Sequence, residues 1–173
     1  MGVTVVGCGY GDDMEDLLPG ENDPRRVEVR DWIASHPSAT ARELAEAGWV
    51  APHWPLPWGR NADPVHQLII DEEFDRAGVK RPSNQIGTGW AAPTIIHAGT
   101  EEQKERYVLP ALAAEEIWCQ LFSEPGAGSD LASLATRAVR DGDEWVVNGQ
   151  KIWTTGAHYS RFGILIARTD PDA

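Results

Sequence analysis

The fold of this chain is decided by an eight-residue run, Ser123-Glu124-Pro125-Gly126-Ala127-Gly128-Ser129-Asp130. The proline fixes one backbone angle, and Gly126 and Gly128 can adopt backbone conformations that other residues rarely reach. Successive free N–H groups in such a loop form a concavity that binds anions, and Ser129 adds a hydroxyl donor. A Pro-Gly turn between two strands explains the same residues, so the run needs a second element before it indicates a binding site.

The second element is a polar and aromatic segment, Lys151-Ile152-Trp153-Thr154-Thr155, which follows an Asn-Gly pair. It presents a large aromatic face together with nearby hydroxyl groups. This combination suits a flat heteroaromatic ring, because the face of such a ring needs stacking and its rim needs hydrogen bonds. A tryptophan in a sheet core is the alternative explanation of this segment taken alone.

Upstream of residue 116 the sequence predicts helices. Asp23-Pro24 and Asp63-Pro64 each combine an N-cap residue with a proline at the first helical position. Two capping boxes, which begin at Thr40 and Thr100, mark further helix starts. These signals predict an N-terminal helical domain over residues 24–115.

Downstream of residue 116 the apolar runs are short and extended. Residues 117–122, 138–140, 144–147 and 163–168 read as strands, and residues 141–143 read as a turn. Asn148-Gly149 predicts a hairpin that continues into the Lys151 segment. Helices followed by antiparallel strands define an α+β fold with segregated halves. We therefore predict a β domain over residues 116–173.

Charge and composition exclude several classes of function. The chain of 173 residues has a formal net charge of −12, and half of it lies in residues 1–23, which we predict as an acidic, disordered leader. The acidic balance argues against a nucleic-acid partner. No apolar stretch approaches the ~20 residues of a membrane span. The two cysteines and five histidines form no metal-binding spacing, and such sparse cysteine usage suggests a cytoplasmic protein.

Taken together, the two motifs closely resemble those of the acyl-CoA dehydrogenase family of flavoproteins. The resemblance extends upstream through residues 97–104 and covers most of residues 25–170. It implies an N-terminal all-α helical domain followed by an antiparallel, β-barrel-like domain that is incomplete here. It also implies that the C-terminal helical bundle of the family is absent.

The resemblance implies FAD as the cofactor. Ser123 would donate to the N1/O2 edge of the flavin, Trp153 would pack against the ring system, and Thr155 would bond near N5. Ser129 would lie where the flavin pyrophosphate meets the CoA portion of the substrate, so it is also the implied substrate-binding residue. The full set of implied cofactor-binding residues is Gln120, Leu121, Phe122, Ser123, Gly128, Ser129, Trp153, Thr154 and Thr155.

The implied reaction is the α,β-dehydrogenation of an acyl-CoA thioester to a trans-2-enoyl-CoA, as in fatty-acid and lipid metabolism. The family's catalytic base is a glutamate in the C-terminal helical domain, and no residue here matches it. We predict that Glu124 bonds local backbone, assign no catalytic residue, and expect the 173-residue chain alone to be inactive. After the lysine, the family often reads Trp-Ile-Thr-Asn, whereas this chain reads Trp153-Thr154-Thr155-Gly156. The Asn is missing, so the support of the loop after Thr155 differs here.

Two other functions stay open at this point. The alternatives are a non-catalytic fragment or subunit of a flavoprotein complex, and a related acyl-CoA oxidase or flavin monooxygenase. As partners, the resemblance implies an acyl-CoA substrate, an electron-transfer flavoprotein or similar acceptor, and a homo- or hetero-oligomer, typically a tetramer. Neither a metal nor a nucleic acid is expected.

Overall fold

The computed structural model describes residues 18–170, in which five α-helices precede four β-strands. The helices are α1 (Pro24–Ser35), α2 (Ala41–Glu46), α3 (Pro64–Ala77), α4 (Ala92–Ala98) and α5 (Glu101–Leu112). A π-helical turn, Gly87–Ala91, leads directly into α4. The strands are β1 (Trp118–Leu121), β2 (Arg137–Asp141), β3 (Glu144–Asn148) and β4 (Phe162–Leu165). The predicted order of helices before strands is confirmed.

Side-chain caps start four of the helices where the sequence predicts them. The Asp23 carboxylate accepts the Arg25 N–H at 2.9 Å, and Asp63 accepts the His66 N–H at 2.8 Å. Both capping boxes form, with the Thr40 and Thr100 hydroxyls each accepting the backbone N–H of the third helical residue. These caps satisfy N–H groups that lack partners inside the helix.

The helical domain buries two adjacent apolar clusters. In the first, Trp49 is fully buried and its ring lies 5.6 Å from Trp32 and 5.9 Å from Phe74. The second cluster, centred on Val108 and Leu112 of α5, packs against α2 and α4. This second cluster matters for function because the end of α5 leads directly to β1.

A buried ion pair ties α1 to α3. The carboxylate of Glu73 is 4% exposed and pairs with Arg26 and with Arg30, the latter at 2.7 Å. Glu21 pairs with Arg30 and with Arg76. Residues 18–23, which the leader prediction included, are therefore held against the helices. The rest of that predicted leader, residues 1–17, lies outside the described residues.

The β hairpin forms at the turn predicted for residues 141–143, not at the Asn-Gly pair. β2 and β3 are antiparallel, with Asp141 opposite Glu144, and Gly142 between them has φ +60°. Asn148 is the last residue of β3, and residues 149–161 contain no strand, so the hairpin prediction there is wrong. Gly149 is needed for another reason, because a Cβ at that position would collide with the Thr136 side chain.

The other sheet contradicts the prediction of antiparallel strands. β1 and β4 pair in parallel, with Trp118 opposite Phe162 and Leu121 opposite Leu165. A parallel bridge between Arg137 and Arg168 links β2 to the chain beyond β4. The described residues therefore form two two-stranded sheets, and no closed barrel is formed within residues 18–170. Parallel pairing requires a long crossover, which here is the whole segment between β1 and β4.

Aromatic rings join the β1–β4 sheet to the helices. Tyr107 of α5 meets Trp118 edge-on at 5.9 Å and Phe162 at 5.3 Å. These contacts place the sheet against the end of α5 and the π-helical turn. Within residues 18–170, no helix is long and apolar enough to cross a membrane.

Candidate flavin site

Glu124 holds the glycine loop to the chain that follows it. Its side chain is 7% exposed, and its two carboxylate oxygens accept the N–H groups of Ala135 at 2.6 Å and Thr136 at 2.9 Å. The backbone of Glu124 also pairs with that of Ala127, which closes the turn at the start of the loop. The predicted role of Glu124 in bonding local backbone is confirmed.

Lys151 joins this carboxylate to the second motif. Its Nζ donates to Glu124 Oε1 at 2.8 Å and to the Phe122 carbonyl at 2.9 Å. The next residue, Ile152, donates its N–H to the Ser123 carbonyl at 2.9 Å. The two sequence motifs are therefore adjacent in space, with Lys151 as the buried link between them.

The charge state of Glu124 follows from these contacts. The pKa of Glu124 is lowered to about 2. The hydrogen bond from the Lys151 ammonium is the main cause, and the donors at Thr136 and Ala135 also contribute. A carboxylate that is stabilised in this way stays ionised at neutral pH. Glu124 is therefore unsuited to act as a general base.

The Trp153 side chain is exposed to solvent. It is 85% exposed, and the backbone of Trp153 adopts φ +58°, in the left-handed region. A bulky residue in that region costs about 1–3 kcal/mol, and such residues cluster at functional sites. The alternative placement of Trp153 in a sheet core is wrong.

A cavity of about 430 Å³ lies beside Trp153. Three of the predicted cofactor-binding residues line it: Gln120, Trp153 and Thr155. Sequence reasoning missed its other lining residues, which are Ser83, Asn84, Gln85, Ile86, Ile117, Trp118 and Tyr159. The volume falls in the range of about 300–1,000 Å³ that is usual for ligand pockets.

Asn84 fixes one wall of this cavity. Its buried amide donates to the Ala111 and Glu116 carbonyls at 2.9 and 3.0 Å, and it accepts the N–H groups of Gly87 at 3.3 Å and Trp118 at 3.2 Å. One side chain thus binds the π-helical turn, the end of α5 and the start of β1 to one another. No local motif in the sequence marks Asn84 for this role.

Trp118 separates this cavity from a second one. The second cavity, of about 350 Å³, lies between α4–α5 and the β1–β4 sheet and is mainly apolar, with Ile95, Phe162 and Ile164 among its lining residues. The indole N–H of Trp118 is buried and has no hydrogen-bond partner among the described residues. A buried donor without a partner is costly, so it is a candidate for a contact with a ligand or water.

The other predicted residues do not line the 430 Å³ cavity. Gly128 and Ser129 are exposed on the glycine loop. The Leu121 side chain points toward Gly163 of β4, on the face of β1 opposite Gln120. The Phe122 ring meets Trp90 edge-on at 5.8 Å. Ser123 adjoins the Lys151 segment through its carbonyl, as described above.

The residues that line the cavity suit a flavin ring. The Gln120 amide and the Thr155 hydroxyl supply hydrogen-bond donors, while Trp153 supplies an exposed aromatic face. A planar ring with a polar rim needs this combination. Among residues 18–170, no group of three or more His, Cys, Asp or Glu side chains is placed to hold a metal ion.

Comparison with known proteins identifies the family. Residues 12–116 match the family described as acyl-CoA dehydrogenase, N-terminal domain, and residues 119–173 match acyl-CoA dehydrogenase, middle domain. The chain is 58% identical over 130 residues to acyl-CoA dehydrogenase FadE34 of Mycobacterium tuberculosis, a match that covers 75% of this chain and 18% of that protein. The chain belongs to the acyl-CoA dehydrogenase family, and it spans only a fraction of the length of this relative.

Solved structures of the family have the same fold. The chain matches the Tcur3481-Tcur3483 steroid ACAD with a TM-score of 0.62 and 35% identity, over 86% of this chain and 43% of that one. It matches the ChsE4-ChsE5 complex from M. tuberculosis with a TM-score of 0.62 and 34% identity, over 90% and 45%. A glutaryl-CoA dehydrogenase from Mycobacterium smegmatis, solved with FADH2, matches with a TM-score of 0.61 and 25% identity, over 91% and 45%.

Proposed function

We propose that this chain forms part of the FAD and substrate site of an acyl-CoA dehydrogenase. The observation that carries the proposal is the cavity of about 430 Å³, where Gln120, Trp153 and Thr155 lie together although they are distant in sequence. Membership of the family and the FADH2 bound to a related glutaryl-CoA dehydrogenase support FAD as the cofactor. We place the flavin ring system in this cavity.

Each residue of the site has a proposed task. Gln120 and Thr155 donate hydrogen bonds to the polar rim of the ring, where donors stabilise added negative charge. Trp153 covers a face of the ring and excludes water. Backbone groups of residues 121–123 follow the edge of the ring, and Lys151 holds that segment in place through the Phe122 carbonyl. FAD, when bound, supplies the acceptor for the hydride that leaves the acyl β-carbon.

The glycine loop is proposed to bind phosphate. Gly128 and Ser129 are exposed, so their N–H groups and the Ser129 hydroxyl are accessible to the flavin pyrophosphate and to the CoA portion of the substrate. Thr154, the remaining predicted residue, is proposed to support the segment between Trp153 and Thr155. Its carbonyl accepts the Ala157 N–H at 3.0 Å.

No residue of this chain is proposed as the catalytic base. Glu124 is the carboxylate nearest to the two motifs, and its contacts with Lys151 and with two backbone N–H groups occupy both of its oxygens. Removal of the α-proton therefore requires a group other than the carboxylates described near the two motifs in residues 18–170. We propose that the 173-residue chain alone does not convert acyl-CoA to enoyl-CoA.

The proposed substrate is a CoA thioester with a bulky acyl group. Support for this choice is the similarity to the Tcur3481-Tcur3483 steroid ACAD. An electron-transfer flavoprotein is the proposed electron acceptor, and a cytoplasmic location is proposed because Cys119 is a buried free thiol.

A second candidate function is a subunit that completes its site with a partner chain. The observation that favours it is the similarity to the ChsE4-ChsE5 complex, which contains two different proteins. In that case the partner supplies the catalytic base, and the present chain contributes the cavity beside Trp153.

FAD titration of the purified 173-residue chain tests the proposal, with quenching of flavin fluorescence as the signal. We expect saturable binding that Trp153→Ala weakens, because stacking on an aromatic ring is worth roughly 1 kcal/mol or more. Trp145→Ala is the matched control, since Trp145 is half-exposed on the β2–β3 hairpin and does not line the cavity. Absence of FAD binding, or equal losses in both variants, contradicts the proposed site.

A further inference from the structure

The turn after Thr155 is built around Gly156. Here the Gly156 carbonyl accepts the N–H groups of Tyr159 and Ser160, both at 3.1 Å, and the Ser160 hydroxyl at 2.9 Å. These three hydrogen bonds wind residues 156–160 into one tight turn.

Tyr159 occupies the space above Gly156. A Cβ added at Gly156 would lie 2.8 Å from the Tyr159 hydroxyl oxygen and 3.0 Å from its Cζ atom, and Gly156 has φ +80°. Both the close approach and the positive φ favour glycine at this position. Glycine at 156 therefore leaves room for the Tyr159 phenol in its present position.

The Tyr159 side chain faces the candidate flavin cavity. It lines the same cavity as Gln120, Trp153 and Thr155, and it is 64% exposed. Its ring packs edge-on against His158 at 4.8 Å. Among the described residues, no partner is found for its hydroxyl group, which is therefore available to a ligand.

We infer that Tyr159 is a further cofactor-binding residue, which contacts the flavin through its hydroxyl group from the turn that Gly156 permits. The inference rests on the proposed function, since it takes the ligand of this cavity to be a flavin. A phenol hydroxyl both donates and accepts hydrogen bonds, and so it suits the mixed donors and acceptors on the flavin rim.

FAD titration of the 173-residue chain and its Tyr159→Phe variant tests this inference. We expect the dissociation constant to rise roughly fivefold in Tyr159→Phe, as for the loss of one hydrogen bond. The absorption band of bound flavin near its visible maximum should also shift, which a purely structural role of Tyr159 would not cause. His158→Phe is the matched control, because His158 neighbours Tyr159 and does not line the cavity.

A stability measurement checks the pairing of Tyr159 with Gly156 without any cofactor. Gly156→Asn should destabilise the wild-type chain, because the added side chain meets the phenol ring. The same change should cost less in a Tyr159→Ser background, since asparagine tolerates positive φ better than most residues. Urea denaturation of the four variants gives the coupling between the two positions.

The outcomes separate this inference from the proposed function. If the wild-type chain binds FAD and Trp153→Ala weakens binding, but Tyr159→Phe leaves both affinity and spectrum unchanged, only the role of Tyr159 is overturned. If the wild-type chain fails to bind FAD, the proposed function falls and this inference falls with it. An equal cost of Gly156→Asn in both backgrounds also overturns the pairing.

Discussion

Replacing Asn84 tests whether one buried amide holds the candidate site to the helical domain. The Asn84 side chain is 5% exposed and makes four hydrogen bonds, as described above. Two of its partners, the Ala111 carbonyl and the Gly87 N–H, belong to buried residues. The other two, at Glu116 and Trp118, belong to half-buried residues.

The expected cost of Asn84→Ala follows from those partners. A buried donor or acceptor that is left without a partner costs about 1–3 kcal/mol, and the half-buried partners cost less because water can reach them. We therefore expect the free energy of unfolding to fall by about 2–5 kcal/mol, which is a large share of a typical total of about 5–15 kcal/mol. The same change should weaken FAD binding, since Asn84 lines the cavity.

The variant Asn84→Asp adds a predicted dependence of stability on pH. It keeps the shape of the side chain but points an oxygen at the Ala111 and Glu116 carbonyls in place of the NH2 group. Burial and these carbonyls favour the protonated acid, so the pKa of the new carboxyl should be higher in the folded state than in the unfolded state. Stability is then greatest at low pH and falls as the pH rises through the ordinary aspartate pKa of about 3.9 toward neutrality.

Urea denaturation, followed by far-ultraviolet circular dichroism at several pH values, measures both effects. Asn22→Asp makes the same chemical change at an exposed position and serves as the control. A loss below about 1 kcal/mol for Asn84→Ala, typical of a surface substitution or a minor contact, would refute the reasoning. So would an Asn84→Asp variant whose stability relative to wild type does not depend on pH.

Two further predictions concern the buried charges. Lys151→Met should raise the pKa of Glu124 from about 2 toward its ordinary value. NMR titration of the carboxyl carbon measures this pKa, and the exposed Lys80→Met is the control. An unchanged pKa would show that Lys151 is not the main cause of the low value. Because that pKa is lowered by folding, the contribution of Glu124 to stability is present above its ordinary pKa and is lost as the pH falls toward 2, and Lys151→Met should reduce this acid sensitivity. Glu73→Gln should cost up to about 3–5 kcal/mol, because it removes the buried carboxylate that pairs with Arg26 and Arg30. Among the described residues, Arg26 then keeps only the partly buried Glu72, at 2.8 Å, as its ionic partner. Thermal denaturation measures this, the exposed Glu21→Gln is the control, and equal effects of the two changes would contradict the argument.

The sequence predicts helix starts well because they depend on residues a few positions apart. Asp23, Thr40, Asp63 and Thr100 all cap helices through their own side chains. Each of these hydrogen bonds spans two or three residues, so the pattern contains the whole interaction. The helical half of the fold could therefore be predicted without knowledge of its packing.

The strand pairing could not be predicted in the same way. Asn148-Gly149 has the composition of a hairpin turn, but Gly149 is required by its close approach to Thr136. The hairpin forms instead at Gly142, where the sequence also predicts a turn, and β1 pairs in parallel with β4, which the sequence does not predict. Contacts between distant segments decide these features, and a local pattern does not contain them.

The candidate site likewise contains residues that the sequence predicts and residues that it does not. Gln120, Trp153 and Thr155 belong to motifs whose residue types indicate a ring-binding role, and the structure brings them to one cavity. Asn84 lies in no motif, because its role arises from hydrogen bonds to the carbonyls of Ala111 and Glu116, which are distant from it in sequence. Tertiary packing alone reveals such residues.

The parallel pairing of β1 with β4 also determines how this protein can be divided for experiments. Strand β1, which carries Gln120, gains its hydrogen-bonding neighbour β4 only after residues up to Leu165 have been synthesised. The amide of Asn84 meanwhile anchors the start of β1 from the helical side. Cloning the two halves as separate modules divided at residue 116 would therefore separate Asn84 from β1 and dismantle the cavity.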